Sequence, residues 1–187
     1  MFERCWVRHL AIVLAIQLLG VSGDAVKAQD KASLTLAGIG ATPGSEVRFT
    51  VMFTNRPGGE VSQLRQWIEF PKNTLSYVGA RLSIAAELAE AELKADVKDK
   101  SDAPDIGILT ISIIGKKSLS DGPVAELIFE VPSTVPEQTL TLDHRAEGVG
   151  LDGKTLSEVA AEGGSLKISK EPVEVAPGLF SCFFYMH

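Results

Sequence analysis

Hydrophobic and polar residues alternate along the stretch from residue 46 to residue 70. Valine and phenylalanine occupy every second position of residues 47–53, with polar residues or methionine between them. This period of two is typical of a strand that buries one face, because successive side chains of a strand point to opposite sides. The alternation resumes after the turn-forming run at residues 55–59, so we expect a second strand that shares the same core. The predicted core residues of this pair are Phe49, Leu64, Ile68 and Phe70.

The same kind of pattern predicts further short strands along the chain. Leu109, Ile111 and Ile113 alternate with residues that are themselves partly apolar, which indicates a strand in the interior of its sheet. Asp152-Gly153 is a hairpin signal, because both turn positions require positive φ and Asp-Gly tolerates it. Other strands are predicted near residues 33–37, 75–78, 124–131, 139–143 and 165–169. Together they indicate an all-β fold, a jelly-roll-type β-sandwich of about nine strands.

One segment has the composition of a helix. Residues 84–90 are rich in alanine, glutamate and leucine, and a helix there would place Ile84, Leu88 and Ala91 on one side. We therefore expect one short helix, inserted between two strands.

The chain resembles the cohesin domain family in four places. Residues 70–78, Phe-Pro-Lys-Asn-Thr-Leu-Ser-Tyr-Val, are similar to the Tyr-Asp-Pro-x-x-Leu-x-Tyr-Val sequence in which a strand of that family ends. Residues 43–47 resemble the entry to its second strand, and residues 122–131 resemble its Gly-x-Leu-Ala-x-Ile-x-Phe-x-Val strand. Residues 151–168 are similar to its last hairpin and closing strand. The order and spacing of these pieces over residues 31–170 carry the resemblance.

The resemblance implies a strand boundary and a partner. The family has a strand after the predicted helix, so we end the helix near Ala91 and begin a strand at Glu92. Cohesins dock dockerins, which are small calcium-loaded helical modules attached to polysaccharide-degrading enzymes. The chain would therefore be a non-catalytic binding module, and the calcium would belong to the partner. The alternative is a carbohydrate-binding module that binds polysaccharide directly, because those modules resemble cohesins in fold and Trp67 could stack on a sugar ring.

The resemblance also implies where the partner docks. In cohesins the docking surface is the outer face of the sheet whose strand ends in the Tyr-Asp-Pro turn, and matching backward from Phe70 places Gln63 and Arg65 where the family often has Asn and Asp. The pleat sends four residues of this strand outward: Gln63, Arg65, Trp67 and Glu69. A solvent-facing Trp between charges has the composition of a binding hot spot. Two alternatives stay open: Trp67 could be covered by the helix or the tail, or Gln66, a polar residue on the inward side, could mark a bulge that shifts the register.

The first 28 residues have the outline of a secretory signal peptide. Arg4 and Arg8 precede an apolar run at residues 10–19, and small residues lead to a cleavage site after Ala28. Because the run is shorter than the about 20 residues of a membrane-spanning helix, cleavage is favoured over an uncleaved anchor, and no span remains afterwards. The protein is expected to be secreted, outside the cell or at its surface. Its predicted parts are a signal peptide at residues 1–28, a cohesin-like domain at 29–170 and a linker-like tail at 171–187.

Charge argues against a nucleic-acid partner. The formal net charge is −6, and loss of residues 1–28, which carry three basic and two acidic side chains, changes it to −7. A negative protein is repelled by phosphate backbones.

The sequence offers little chemistry for catalysis or metal binding. His144 is the only histidine in the predicted domain, where we expect it at a strand end, and it has no second histidine for a metal site or a triad. Aspartates recur every third residue from Asp96 to Asp105, without the alternate spacing and the glycine of a calcium loop, so we expect a solvated loop there. We predict no cofactor and no enzyme activity, and a glycoside hydrolase is the least favoured function.

The exported protein is expected to begin at Gln29, because the charged start, the apolar run and the small residues before it match a signal peptide. Intact-mass measurement of the exported protein checks this. A mass that still includes residues 1–28 would contradict it.

Overall fold

The computed structural model describes residues 31–171, apart from the side chains of residues 157 and 158. The predicted signal peptide, its cleavage site and residues 172–187 lie outside this range. The described residues form twelve strands and one short helix. In chain order these are β1 Ala32–Leu36, β2 Ile39–Ala41, β3 Glu46–Thr54, β4 Val61–Pro71, β5 Ser76–Leu82, α1 Ile84–Leu88, β6 Glu92–Lys100, β7 Ala103–Ile114, β8 Gly122–Glu130, β9 Gln138–Thr141, β10 His144–Gly150, β11 Thr155–Gly163 and β12 Ser165–Ile168.

Nine of the strands form one sheet that folds over on itself. Its order is β5-β8-β3-β1-β11-β10-β4-β7-β6, and β2-β12-β9 form a separate small sheet. Four strands lie between β8 and β4 in this order, yet the ring centroids of Phe129 and Phe70 on those strands are 5.2 Å apart. The sheet must therefore curl into two packed layers. The ladder between β11 and β10 is irregular between Ala146 and Gly148, and we place the fold of the sheet there.

This arrangement confirms the predicted all-β sandwich with one inserted helix, although it has twelve strands instead of about nine. The strand β10 has only a weak sequence signal, because its two glycines and its alanine lower β propensity. Its pairing with β4 on one side and β11 on the other supplies the order that local propensity does not.

The core centres on an aromatic cluster between the two layers. Phe129 makes edge-on contacts with Phe49, Phe70 and Tyr77, at centroid distances of 5.9, 5.2 and 5.6 Å. Such pairs contribute about 0.5–1.5 kcal/mol each beyond the burial of their area. The predicted core residues are confirmed, since Phe49, Leu64, Ile68 and Phe70 are each at most 3% exposed.

The register of β4 is continuous. It pairs antiparallel with β7 from Gln63↔Ile114 to Pro71↔Ile106 without a shift. Pro71 is the last paired residue, as predicted from its missing amide proton. The suggestion that Gln66 marks a bulge is wrong, because Gln66 stays in register opposite Ile111 and its side chain points into the core.

Gln66 is accommodated in the core by a hydrogen bond to a histidine of β10. Its Nε2 atom donates to His144 Nδ1 at 2.9 Å, and His144 Nε2 donates to the carbonyl oxygen of Glu162 at 3.0 Å. These two bonds require a neutral imidazole that carries its proton on Nε2. The prediction that His144 lies at a strand end is confirmed, because it is the first residue of β10. Its ring links β4, β10 and β11 through these two hydrogen bonds. Gln66 Oε1 has no hydrogen-bond partner among residues 31–171.

The helix begins at the predicted residue, but it ends at Leu88 instead of near Ala91 and buries a different side. It spans Ile84–Leu88, and the next strand begins at Glu92. Ile84 and Leu88 are 67% and 69% exposed, whereas the buried side consists of Ala85, Ala86 and Ala89. Alanines let the helix approach β8 closely, and five helical residues are too few for an apolar period to select a side.

Two predicted loops are also corrected. The aspartate run is part of a long hairpin, because β6 continues to Lys100 and β7 begins at Ala103, with Ser101 and Asp102 as the turn. Pairing with β7 overrides the low β propensity of aspartate and lysine.

The turn after β10 has one positive φ instead of two. Among its residues only Gly153 has positive φ, at 76°. Gly153 donates its N–H to the carbonyl of Gly150, and Gly150 donates to the carbonyl of Lys154, each at 3.0 Å. The loop is therefore longer than a two-residue turn, and only its last position needs glycine.

Phe49→Ala is expected to lower the free energy of unfolding by about 3–5 kcal/mol, because it removes a fully buried ring that packs against Phe129. Arg65→Ala, on the exposed side of the neighbouring layer, should change it by about 0.5 kcal/mol or less. Denaturant melts of both variants check this. Equal losses would mean that the two faces are reversed.

The free energy of unfolding should decrease as the pH falls below 6.5, the usual pKa of histidine. Burial lowers the pKa of His144 below its usual value of 6.5. The unfolded chain therefore takes up a proton more readily than the folded protein, and stability is lost as the pH drops from about 6.5 toward the folded-state pKa. Urea melts at about pH 7.5 and 5.5 should differ less for His144→Asn than for the wild type. An unchanged difference would contradict a role of His144.

Candidate functional site

The predicted site residues lie on β4, in the outer surface of a layer that is formed by β10, β4, β7 and β6. Facing residues on these strands form rows across the layer. In the central row, Trp67 on β4 lies between Arg145 on β10 and Thr110 on β7, and Thr110 pairs with Asp96 on β6. We call this four-stranded surface the outer face.

All four predicted site residues point to this outer face. Gln63 and Arg65 are exposed, whereas Trp67 and Glu69 are half-buried. The helix α1 does not cover Trp67, since it packs against β8 in the opposite layer. The tail lies outside the described residues. Part of the indole surface is covered by Arg145, which the sequence did not indicate.

Two arginines converge on the indole of Trp67. The guanidinium carbon of Arg145 lies 4.4 Å from the ring centroid, and that of Arg65 lies 5.9 Å from it. Both distances are within the range of cation–π attraction, which contributes about 0.5–1 kcal/mol at exposed sites. Neither guanidinium forms an ion pair with any described side chain. We call Arg65, Trp67 and Arg145 the arginine–tryptophan cluster.

Glu69 has a separate electrostatic role. Its carboxylate accepts a hydrogen bond from Lys100 Nζ at 2.7 Å, and this bond raises the pKa of the lysine. The pair joins the end of β4 to the turn between β6 and β7. Glu69 is therefore held by its own cation and does not neutralise Arg65 or Arg145.

Two hollows flank the arginine–tryptophan cluster. One, of about 250 Å³, lies between Trp67 and Glu69 and has Ile108 and Asp143 in its walls. The other, of about 180 Å³, lies beside Gln63 and has Ile114 and Val149 in its walls. The outer face is thus a central ridge with a small, partly apolar depression on either side.

Arg145 and the isoleucines of β7 are the site residues that sequence reasoning missed. Arg145 lies 78 positions after Trp67, and only the pairing of β10 with β4 brings the two together. Arg145 and Glu147 do alternate with smaller residues, which is a weak strand signal, but it does not specify the partner strand. Ile108 and Ile114 do lie in a predicted strand, as the apolar residues of its second face.

The described residues show no metal centre and no span. No three histidine, cysteine, aspartate or glutamate side chains between residues 31 and 171 come together as ligands for an ion. No helix in the same range is long and apolar enough to cross a membrane.

A larger hollow of about 480 Å³ lies away from the predicted site residues, at the turns before β4 and β11. Arg56, Glu60 and Lys154 are among its walls.

Comparison with known proteins gives matches to structures only. No protein-family model matches the chain. No curated protein sequence matches it either.

The matching structures are cohesins. A non-cellulosomal cohesin from the archaeon Archaeoglobus fulgidus is 18% identical with a TM-score of 0.57, and the match covers 74% of this chain and 91% of that one. The cohesin of a type I cohesin–dockerin complex from Clostridium thermocellum is 13% identical with a TM-score of 0.59, and the match covers 74% and 99%. A type I cohesin from Pseudobacteroides cellulosolvens is 20% identical with a TM-score of 0.53, over 77% and 96%. At these identities the likeness is one of fold. The described part of this chain has the fold of a cohesin domain.

Proposed function

We propose that the protein is a secreted, non-catalytic binding module that docks dockerin-bearing, polysaccharide-degrading enzymes. The observation that carries the proposal is the arginine–tryptophan cluster at the centre of the outer face, on the strand that the cohesin resemblance marks as the docking strand. The cohesin fold supports it, and two of the matching structures are described as complexes with dockerins. The partner would carry the calcium, so this chain would need no cofactor.

The shape of the outer face suits a helical partner. Gln63 and Glu69 are about 20 Å apart along β4, at roughly 3.4 Å per residue. Four strands at about 4.8 Å spacing add about 15 Å across. One helix of about 10–12 Å diameter can lie over such a surface and reach both hollows.

The cluster also has the residue types that dominate binding energy in protein interfaces. Tryptophan and arginine are enriched among hot spots, which lie near the centre of an interface and lose their water on binding. The guanidinium groups of Arg65 and Arg145, at 5.9 and 4.4 Å from its ring centroid, restrict Trp67, so it loses little conformational freedom when a partner docks.

Direct polysaccharide binding is the second candidate. The hollow beside Trp67 favours it, because the carboxylates of Glu69 and Asp143 there can accept hydrogen bonds from sugar hydroxyls. The guanidinium of Arg145 opposes it, since a sugar that stacks on the indole must first displace a group 4.4 Å from the ring centroid. The protein-binding function is therefore preferred.

Trp67→Ala is expected to weaken binding to a calcium-loaded dockerin by about 2 kcal/mol or more, and Arg65→Ala by about 1 kcal/mol. Calorimetry against a panel of dockerins and against soluble glucans measures both effects. Arg81→Ala is the matched control, because Arg81 pairs with Glu126 on the opposite layer. Melting curves control for folding.

The outcomes separate the two candidates. Loss of dockerin binding at unchanged stability supports the docking module, whereas loss of glucan binding in Trp67→Ala alone supports the carbohydrate module. A wild-type protein that binds neither class rejects both.

A further inference from the structure

The arginine–tryptophan cluster concentrates unpaired positive charge in a protein that is negative overall. Arg145 faces Trp67 directly across the β4–β10 pair, and Arg65 lies two residues before Trp67 on β4. Two like charges that share one indole repel each other, and each gains only a weak cation–π attraction in return. The formal net charge of the chain is −6, so this local excess is not a consequence of composition.

The acidic groups of the outer face do not neutralise the cluster. Glu69 is bonded to Lys100, and Asp96 lies 3.4 Å from Lys98. Glu147 faces Arg65 across the strand pair, but no ion pair forms between them. Asp143 lies at the wall of the hollow and forms no ion pair with Arg145, and Glu92, which lies in the same row as Gln63 on the edge strand, forms none with Arg65.

We propose that the arginine–tryptophan cluster is a carboxylate-binding site, so that the partner presents an acidic side chain at the centre of the interface. This inference rests on the proposed docking function and specifies the chemistry of its partner. An aspartate or glutamate placed beside the indole can accept charge-assisted hydrogen bonds from a guanidinium group, and its negative charge offsets the repulsion between the two arginines. The neighbouring indole excludes water from part of the site and strengthens these bonds.

The charge at position 65 also differs from the charge that the cohesin resemblance implies there. Matching backward from Phe70 places Arg65 at a position where cohesins often have aspartate. A positive group there repels a partner that presents a basic side chain, and such like-charge contacts cost several kcal/mol. We therefore expect this chain to select acidic partners and to reject basic ones.

The fluorescence emission of Trp67 can be used to detect binding at the site. The chain has two tryptophans, Trp6 and Trp67, so the full chain with Trp6→Phe has Trp67 as its single tryptophan. Hexaglutamate is the probe, and hexalysine is the matched control of opposite charge. We expect hexaglutamate to change the emission of Trp67 saturably at low salt, and we expect about 0.5 M salt to weaken the effect strongly. No saturable change, or an equal change with hexalysine, overturns the proposal.

Charge reversal tests the two arginines. Arg145→Glu and Arg65→Glu should each weaken hexaglutamate binding on the order of tenfold or more, whereas Arg145→Lys should retain part of it. Lys167→Glu changes the net charge equally on the separate small sheet and should have little effect. Equal effects of all three reversals would mean that only net charge matters, which overturns a specific site.

Dockerin binding separates this inference from the proposed function. If dockerins bind the wild type and Arg145→Glu leaves their affinity unchanged, the carboxylate site is wrong and the docking function stands. If hexaglutamate binds at Trp67 but no dockerin does, the docking function falls and the carboxylate site stands. Dockerin binding that Arg145→Glu abolishes and Lys167→Glu preserves supports both.

Discussion

The pairing of β4 on both of its edges is the constraint on which the rest of the structure depends. Its ladder with β7 runs over nine residue pairs without a shift, and β10 covers its other edge. A slip by one residue would move every core side chain of this strand to solvent, so the buried residues hold the register. The position of Phe70 against Phe129, and hence the packing of the two layers, follows from that register.

The pair of β4 and β10 is tied by side chains on both of its faces. On the inner side Gln66 donates to His144, and on the outer side the next residue of each strand brings Trp67 under Arg145. The inner contact requires a neutral imidazole, and the outer contact requires a charged guanidinium. Consecutive residues thus make separate contacts in the core and on the outer face, because the pleat sends them to opposite sides of the sheet.

The core and the outer face of this protein are under different physical constraints. The cohesin fold persists at 12–20% identity to solved structures, because a sandwich requires apolar residues at inward positions and suitable turns, not particular side chains. The outer face is free of that requirement. Its charges can therefore change without loss of the fold, and the site must be judged from its own geometry.

The sequence by itself determined the fold class, the core residues of β3 and β4, and the four outward residues of β4. Each depends on the alternation of one strand, which is a local property that neighbouring residues report directly. Predictions from such local patterns are limited for the same reason. Five helical residues could not distinguish the alanine side of α1 from the side of Ile84 and Leu88. The aspartate run gave no sign of its pairing with β7.

Only the tertiary structure decided which strands meet. It placed His144 against Gln66 and Arg145 against Trp67, each pair 78 positions apart in the chain. Strand pairing between distant segments depends on the packing of the whole sandwich, and no window of sequence contains it. For that reason the outward orientation of Trp67 could be predicted from the sequence, whereas the charge that surrounds it could not.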